Sequence, residues 1–337
     1  MLYITTRNDR DTFTAQRVMR ENRGPDGGMY LSFRRMNLTA GDLKALAAMP
    51  FGERVAQTLN RLFDCKCTGL DVDFCVGRSP VRLSKLGHRL LAAEVWHNPG
   101  WSYERMEKEL TGLLREEPAA PEGWLKIALR IAVLFGIYGE LQKSGIEIAD
   151  LAVVSGDFTA PISAYYARQW GLPIGEIVCC CNENSALWDL FAHGQLRTDA
   201  VSIPTQVPEA DAAVPDQLER LVYEAGGTAE VEKYLTVCRR GGVYAPEEAV
   251  LGKLRQGFAV SVVSSARVRG TIPSAYRTHH KVLSPGTALA YAGLMDYRAK
   301  TGNTRPAVIL SEKSPLADLD VTASAMGISP ETLKTIL

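Results

Sequence analysis

The chain has 337 residues, enough for about two domains of roughly 150 residues each. Lys and Arg together number 38, as do Asp and Glu, so the formal charge is zero, which excludes a nucleic-acid binder held by a clustered basic excess. Hydrophobic residues make up 46% and charged residues 23%, the balance of a globular chain with a sizeable core, not of a disordered one.

No transmembrane span is expected. The most apolar stretch, Ile127 to Leu141, is interrupted by Arg130 and is too short to cross a bilayer. The opening MLYITTRNDRDTF lacks the apolar run of a signal peptide, so a cytoplasmic address is expected. Seven cysteines in a chain of this size do not make a disulfide scaffold.

In chain order, Asn37 to Phe63 reads as helices, with turn-and-cap chemistry followed by apolar residues at helical spacing. Cys65 and Cys67 form a C-x-C, with Cys75 further on and no His nearby; the spacing is not that of a zinc finger, and half-exposed or buried thiols are the reading. Ala92 to His97 reads as a short strand before the turn Asn98-Pro99-Gly100, and Ser102 to Arg115 as a charged helix. REEPAAPEG, Arg115 to Gly123, has the look of a linker, and Trp124 to Lys143 is an apolar helix. Leu151 to Val154 then reads as a buried strand, Ser155 to Thr159 as a tight loop, and Pro161 to Trp170 as a helix ended by Gly171. Glu176 to Cys181 is a second strand; its consecutive Cys179, Cys180 and Cys181 point to alternate faces and cannot converge on one metal. This βαβ unit, echoed by a helix at Thr287 to Arg298 and a strand at Pro306 to Leu310, predicts an α/β fold: a parallel sheet with flanking helices.

A strand leading through Ser155-Gly156-Asp157-Phe158-Thr159 into a helix has the geometry of an anion site. Asp157 counts against a phosphate there, since the two would repel; the alternative is a carboxylate that caps the helix. Asn182-Glu183-Asn184 either meets a ligand at the carboxyl edge of the sheet or caps a helix over Ser185 to Ala192. His97 is as well read as a hydrogen-bonded structural histidine, and His279-His280 are read as lying in a polar loop with no acidic companion, so no metal is expected. No G-x-S-x-G nucleophile pattern is present.

Three blocks carry a resemblance: MLYITTR with PDGGMYL, VVSGDFTAPISAYYARQWGLPIGEIVCCCNEN, and SPGTALAYAGLMDYRAKTGNTRPAVILSEKSP. Together they resemble the threonine synthase family, pyridoxal-phosphate enzymes of the tryptophan-synthase-β-like fold. The family holds its cofactor on a lysine in H-G-P-T-x-A-F-K-D. The matching run here is His97 to Arg105, with Glu104 at the lysine position and Arg105 at the aspartate. A carboxylate cannot form an imine. The family's phosphate loop G-N-F-G is matched by Gly156-Asp157-Phe158-Thr159, and the S-T-A threonine that bonds the pyridine nitrogen by Ser311-Glu312-Lys313. The linker Arg115 to Gly123 stands where the family carries a block of strands and helices with a Ser-Gly-Asp-Thr-Gly motif.

The resemblance thus implies a shortened member of the family. Residues 1–90 would form an N-terminal helical region and 91–123 a remnant of the lysine segment with the second, smaller domain largely deleted. Residues 124–337 would form the main α/β domain. No catalytic residue and no resident cofactor are expected, the alternative being pyridoxal phosphate held without a covalent bond. Ser155, Gly156, Asp157, Phe158, Thr159, Glu104, Asn182 and Glu312 are the candidate ligand-binding residues. Glu104, Asp157 and Glu312 would face the old cofactor space, either solvated and salt-bridged or gathered into an acidic pocket for a cationic ligand. The implied function is a non-catalytic binding or regulatory module. The alternative is an active enzyme of amino-acid metabolism, as a threonine synthase or related lyase or through acid/base chemistry on Glu104 and Glu312. A small-molecule ligand, and a homo-oligomer or pairing with a full-length relative, are the expected partners; nucleic acid and membrane are not.

Overall fold

A computed structural model describes residues 1–98, 100–117 and 119–337. Three expectations touch residues outside that set: the turn Asn98-Pro99-Gly100 and the run His97 to Arg105 include Pro99, and the linker includes Pro118. The N-terminal third comprises β1 (Leu2–Thr5), β2 (Phe13–Thr14), α1 (Ala15–Arg20), β3 (Tyr30–Ser32), α2 (Ala40–Ala48), α3 (Phe51–Phe63), α4 (Gly69–Val76), β4 (Arg82–Gly87), β5 (Leu90–Glu94) and α5 (Tyr103–Arg115). Then follow α6 (Gly123–Lys143), β6 (Ala149–Val154), α7 (Thr159–Gln169), β7 (Ile174–Cys181), α8 (Ala186–His193), β8 (Leu196–Arg197) and α9 (Leu218–Arg240). The chain closes with β9 (Val243–Tyr244), α10 (Glu248–Arg255), β10 (Phe258–Val262), α11 (Ser265–His279), α12 (Pro285–Thr301), β11 (Ala307–Ser311), α13 (Leu319–Met326) and α14 (Pro330–Ile336).

Local chemistry starts and stops these elements. Thr39 and Asp42 form a capping box on α2, as do Thr68 and Asp71 on α4. Helix α3 buries Val55, Leu59 and Leu62 on one face. Gly171, with φ +105°, turns the chain out of α7 as expected from the sequence. The expected strands at Leu151 and Glu176 are β6 and β7, joined through α7 and paired in parallel, with Ala152 opposite Val178.

These strands belong to a six-stranded sheet ordered β10-β7-β6-β11-β5-β4. All neighbours run parallel except β4, an antiparallel edge beside β5. The sheet is therefore mixed and mostly parallel, with helices on both faces. Trp124, Phe135 and Trp170 fill the core on one side and Ile272, Leu289 and Leu294 that on the other. The cysteine run divides as its alternation demands: Cys179 and Cys181 join the first core and Cys180 the second.

The first ninety residues depart from the expected helical region. They carry a three-stranded antiparallel sheet, β2-β1-β3, and they supply β4 to the main sheet. The chain thus enters the main sheet before residue 90, because β4 and β5 form a hairpin whose pairing needs both strands in one layer. No helix among the described residues is long and apolar enough to cross a membrane.

Candidate functional site

Strands β6 and β11 lie side by side, and their carboxyl ends open into a cleft of about 360 Å³. A crevice at this edge of a parallel sheet is where open α/β folds bind ligands. The loop Ser155–Thr159 forms one side, α6 contributes Lys126 and Arg130, and the N-terminus of α12 contributes Gly286 and Thr287. A segment around Glu209 and the pair Glu312-Lys313 complete the wall.

The loop after β6 is tightly self-bonded. The Ser155 amide donates to Cys180 O at 3.0 Å and the Phe158 amide to Ser155 O at 2.6 Å. The Thr159 amide and hydroxyl donate to the two Asp157 carboxylate oxygens at 2.9 and 2.7 Å. Asp157 therefore sits one residue before the N-cap Phe158 and holds the first amide of α7, close to the capping alternative the sequence allowed. Phe158 sits at φ +71°, fully buried and 5.7 Å from the Phe258 ring. Gly156, at φ +39°, has no room for a side chain: a Cβ there would strike the Glu209 carbonyl oxygen. A Cβ on Gly286 would meet the Glu209 carboxylate, so Glu209 reaches across the cleft from the phosphate-type loop to the start of α12.

Arg130 is the electrostatic centre. Its Nε donates to Glu107 at 2.7 Å, and its two terminal nitrogens donate to the Glu312 carboxylate at 2.6 and 3.1 Å. Its guanidinium lies 4.3 Å above the Tyr103 ring. A guanidinium matches a carboxylate in this bidentate way because both are planar forks. Burial pushes the Glu107 carboxyl above its ordinary pKa, and the Arg130 charge only partly opposes this. Lys313 donates to Glu209 at 3.0 Å; burial lowers its ammonium pKa, but the charge and hydrogen bond of Glu209, with the nearby Asp318 and Glu312 charges, together leave it raised. Lys126 stands 3.8 Å from Asp157. Each charge facing the cleft from α6, the loop and the end of β11 thus has an opposite charge within the protein.

Ser311 is buried and accepts from Trp96 Nε1 at 2.9 Å, while its hydroxyl meets Thr287 Oγ1 at 2.8 Å. This chain of hydroxyls ties β11 to the N-terminus of α12.

The structure brings together Ser155, Gly156, Asp157, Thr159 and Glu312, and leaves three sequence candidates elsewhere. Glu104 is exposed on α5: the first turn buries Tyr103 and Glu107, three to four residues apart on one face, and so turns Glu104 outward. Phe158 belongs to the core. Asn182 is buried beside the cleft without lining it; its amide donates to Thr205 Oγ1 at 2.9 Å and Asp211 at 2.6 Å, fastening the segment that carries Glu209. Neither Asn182 nor Asn184 caps α8, and Glu183 accepts from the Ser265 amide instead. His97 bonds Glu94 O at 3.2 Å, the structural role foreseen for it. His279 ends α11 and meets Tyr291 OH at 3.0 Å, so it lies on a helix, not in a loop.

Sequence reasoning missed Arg130, Glu107 and Glu209 as site residues. Arg130 had a signal: a charge in the middle of an apolar helix has to be paired once that helix is buried. Glu104 also leads to a direct expectation. Glu104→Gln should change stability by no more than about 0.5 kcal/mol in denaturant titration, as for other surface positions; a loss several-fold larger would place its side chain inside.

No family model matches the chain. It is 24% identical over 216 residues to threonine synthase of Corynebacterium glutamicum, covering 62% of this chain and 44% of that one. It is 29% identical over 199 residues to human threonine synthase-like 1, covering 55% of this chain and 26% of that protein. The matched segments thus span less than half the length of these curated relatives. Among solved structures, the pyridoxal-phosphate-bound threonine synthase from Brucella melitensis superposes with a TM-score of 0.86 at 17% identity, covering 100% of this chain and 94% of that one. Yeast threonine synthase gives 0.84 at 15% identity, covering 99% and 93%. The fold is therefore that of threonine synthase over nearly the whole chain.

Proposed function

We propose that this threonine synthase-like chain no longer performs pyridoxal-phosphate catalysis and acts as a non-catalytic binding or regulatory module, with the cleft between α6 and α12 as its small-molecule site. One observation carries the reading: several of the groups that would receive the cofactor are already used by the protein itself. In the loop, the Ser155, Phe158 and Thr159 amides are bonded internally, and the Asp157 carboxylate holds the place of an anion at the start of α7. Glu209 occupies the other helix N-terminus and its carboxylate takes the Lys313 amine. The residues present do not fit pyridoxal phosphate, and no step through it is derived.

Two further points support this reading. The residue matching the family's lysine, Glu104, is an exposed carboxylate. Burial raises the pKa of Glu107, but that carboxyl sits behind Arg130 and does not line the cleft, so acid/base chemistry gains nothing from it. The inferred internal shortening rests on the connection between α5 and α6, only residues 116–122, and not on the structural superposition.

The purified chain, incubated with pyridoxal phosphate, is expected to develop no imine absorbance, and borohydride should fix no pyridoxyl group on any lysine. A stoichiometric pyridoxyl adduct by mass spectrometry, at Lys126, Lys313 or elsewhere, would overturn the proposal.

A further inference from the structure

We propose that Cys65 and Cys67, in the connection between α3 and α4, form a redox-active dithiol whose oxidant is a small-molecule disulfide. The two sulfurs lie 3.7 Å apart with only Lys66 between them in the chain. Both thiols are half-buried and reachable, whereas Cys179, Cys180 and Cys181 are fully buried in the sheet.

The pair is held facing by one side chain. Asn60, in the last turn of α3, places its Oδ1 3.1 Å from each sulfur and accepts from the Cys67 amide at 3.0 Å. Its own amide group donates to Cys67 O at 2.8 Å. Asp64, at φ +54°, ends α3 and starts the tight turn that folds Cys67 back onto that helix. Both side chains pack against the edge of the main core as partly buried groups, so the sulfurs face each other at its rim and not inside it.

The two sulfurs are also electronically unequal. A hydrogen bond from the Cys67 thiol, outweighing burial, lowers the Cys65 pKa to about 7. The same contact pushes Cys67 up. The two sulfurs share a proton, and the direction of the shifts makes Cys65 the attacking sulfur of the proposal and Cys67 the resolving one. Cys65 S⁻ attacks one sulfur of a disulfide R–S–S–R, forming Cys65–S–S–R and expelling RS⁻. Cys67 then gives its proton to solvent, and its thiolate attacks the Cys65 sulfur, expelling the second RS⁻. Two electrons pass from the pair to the disulfide; one Cys65–Cys67 bond forms, and two RSH leave after protonation. A bond closing so small a loop is strained, which favours its reduction by thiols and makes the exchange reversible.

The full chain incubated with oxidised glutathione, alkylated and mapped by mass spectrometry, tests this. The expected product is a peptide holding both Cys65 and Cys67, lighter by about 2 Da and free of alkyl groups, restored by reduced glutathione. Cys67→Ser should accumulate a glutathione adduct at Cys65, and Cys65→Ser should react about tenfold more slowly at the remaining thiol. In the unmodified chain, alkylation of Cys65 should rise with pH around about 7, ahead of Cys75. Two free thiols at 65 and 67 under conditions that glutathionylate Cys75 or Cys238 would overturn the assignment. So would a Cys67→Ser variant that forms no adduct at Cys65. The pyridoxal-phosphate experiment reads lysines and the cleft, so either proposal can fail without the other.

Discussion

Arg130→Met is expected to destabilise the chain by about 3–5 kcal/mol in denaturant titration, the cost of removing one partner from a buried ion pair. The substitution strands Glu107, whose side chain is 4% exposed, and leaves it only the weaker pull of the Lys126 charge. It also removes the bidentate partner of Glu312 and the plane stacked on Tyr103. The loss should depend on pH, with a sign that follows from Glu107. Its carboxyl pKa is already raised by burial, and without Arg130 it rises further. Between the unfolded and folded pKa values the native state binds the extra proton, so stability falls as pH climbs through that window and recovers on acidification. The double variant Arg130→Met with Glu107→Leu should regain most of the loss, because two apolar groups of similar volume leave no charge unpaired. Glu312 is 33% exposed and can turn to water, so it needs no matching change. A loss under about 1 kcal/mol, flat with pH, would mean that the Glu107–Arg130–Glu312 chain does not form in solution.

Asp211→Ala is expected to free the segment that bars the cleft. Asp211 accepts from the Thr205 amide at 2.8 Å, from the Thr205 hydroxyl at 2.7 Å and from Asn182 at 2.6 Å. Bonds to a charged acceptor contribute about 1.5–3 kcal/mol each and do not add, so a total cost of about 2–4 kcal/mol follows. Hydrogen exchange should show the change first in residues 203–212, with strands β6 and β11 protected as before. Glu209 rides on this segment, so the loop at Gly156 should become more open to an anion. Inorganic phosphate, added as a probe, should stabilise Asp211→Ala more than the parent chain. Unchanged exchange over 203–212 would show that the contact does not hold the wall.

Much of this architecture was legible in the chain before it was folded. The β6-α7-β7 unit could be read because each strand ends in a short apolar run, and its helix is bounded by a loop and by Gly171. The alternate cores of Cys179 to Cys181 follow from the strand period alone. Asp157 as a cap was one of two readings open from its place before a helix. Glu104 shows the other side. Its position in the lysine motif drew attention, yet a helix turns each residue by about 100°, and the burial of Tyr103 and Glu107 decided which way Glu104 faces. Strand β4 was missed because an edge strand with one solvated face carries few apolar residues, here Leu83 and Leu86.

Residue order by itself determined the β6-α7-β7 unit, the parallel core of the sheet and the resemblance to threonine synthases, since these depend on periodicity and local motifs. Only the tertiary structure decided which charges meet. Glu107, Arg130, Glu209, Glu312 and Lys313 come from α5, α6, a distant segment and the end of β11, and Coulomb attraction acts through space, not along the chain.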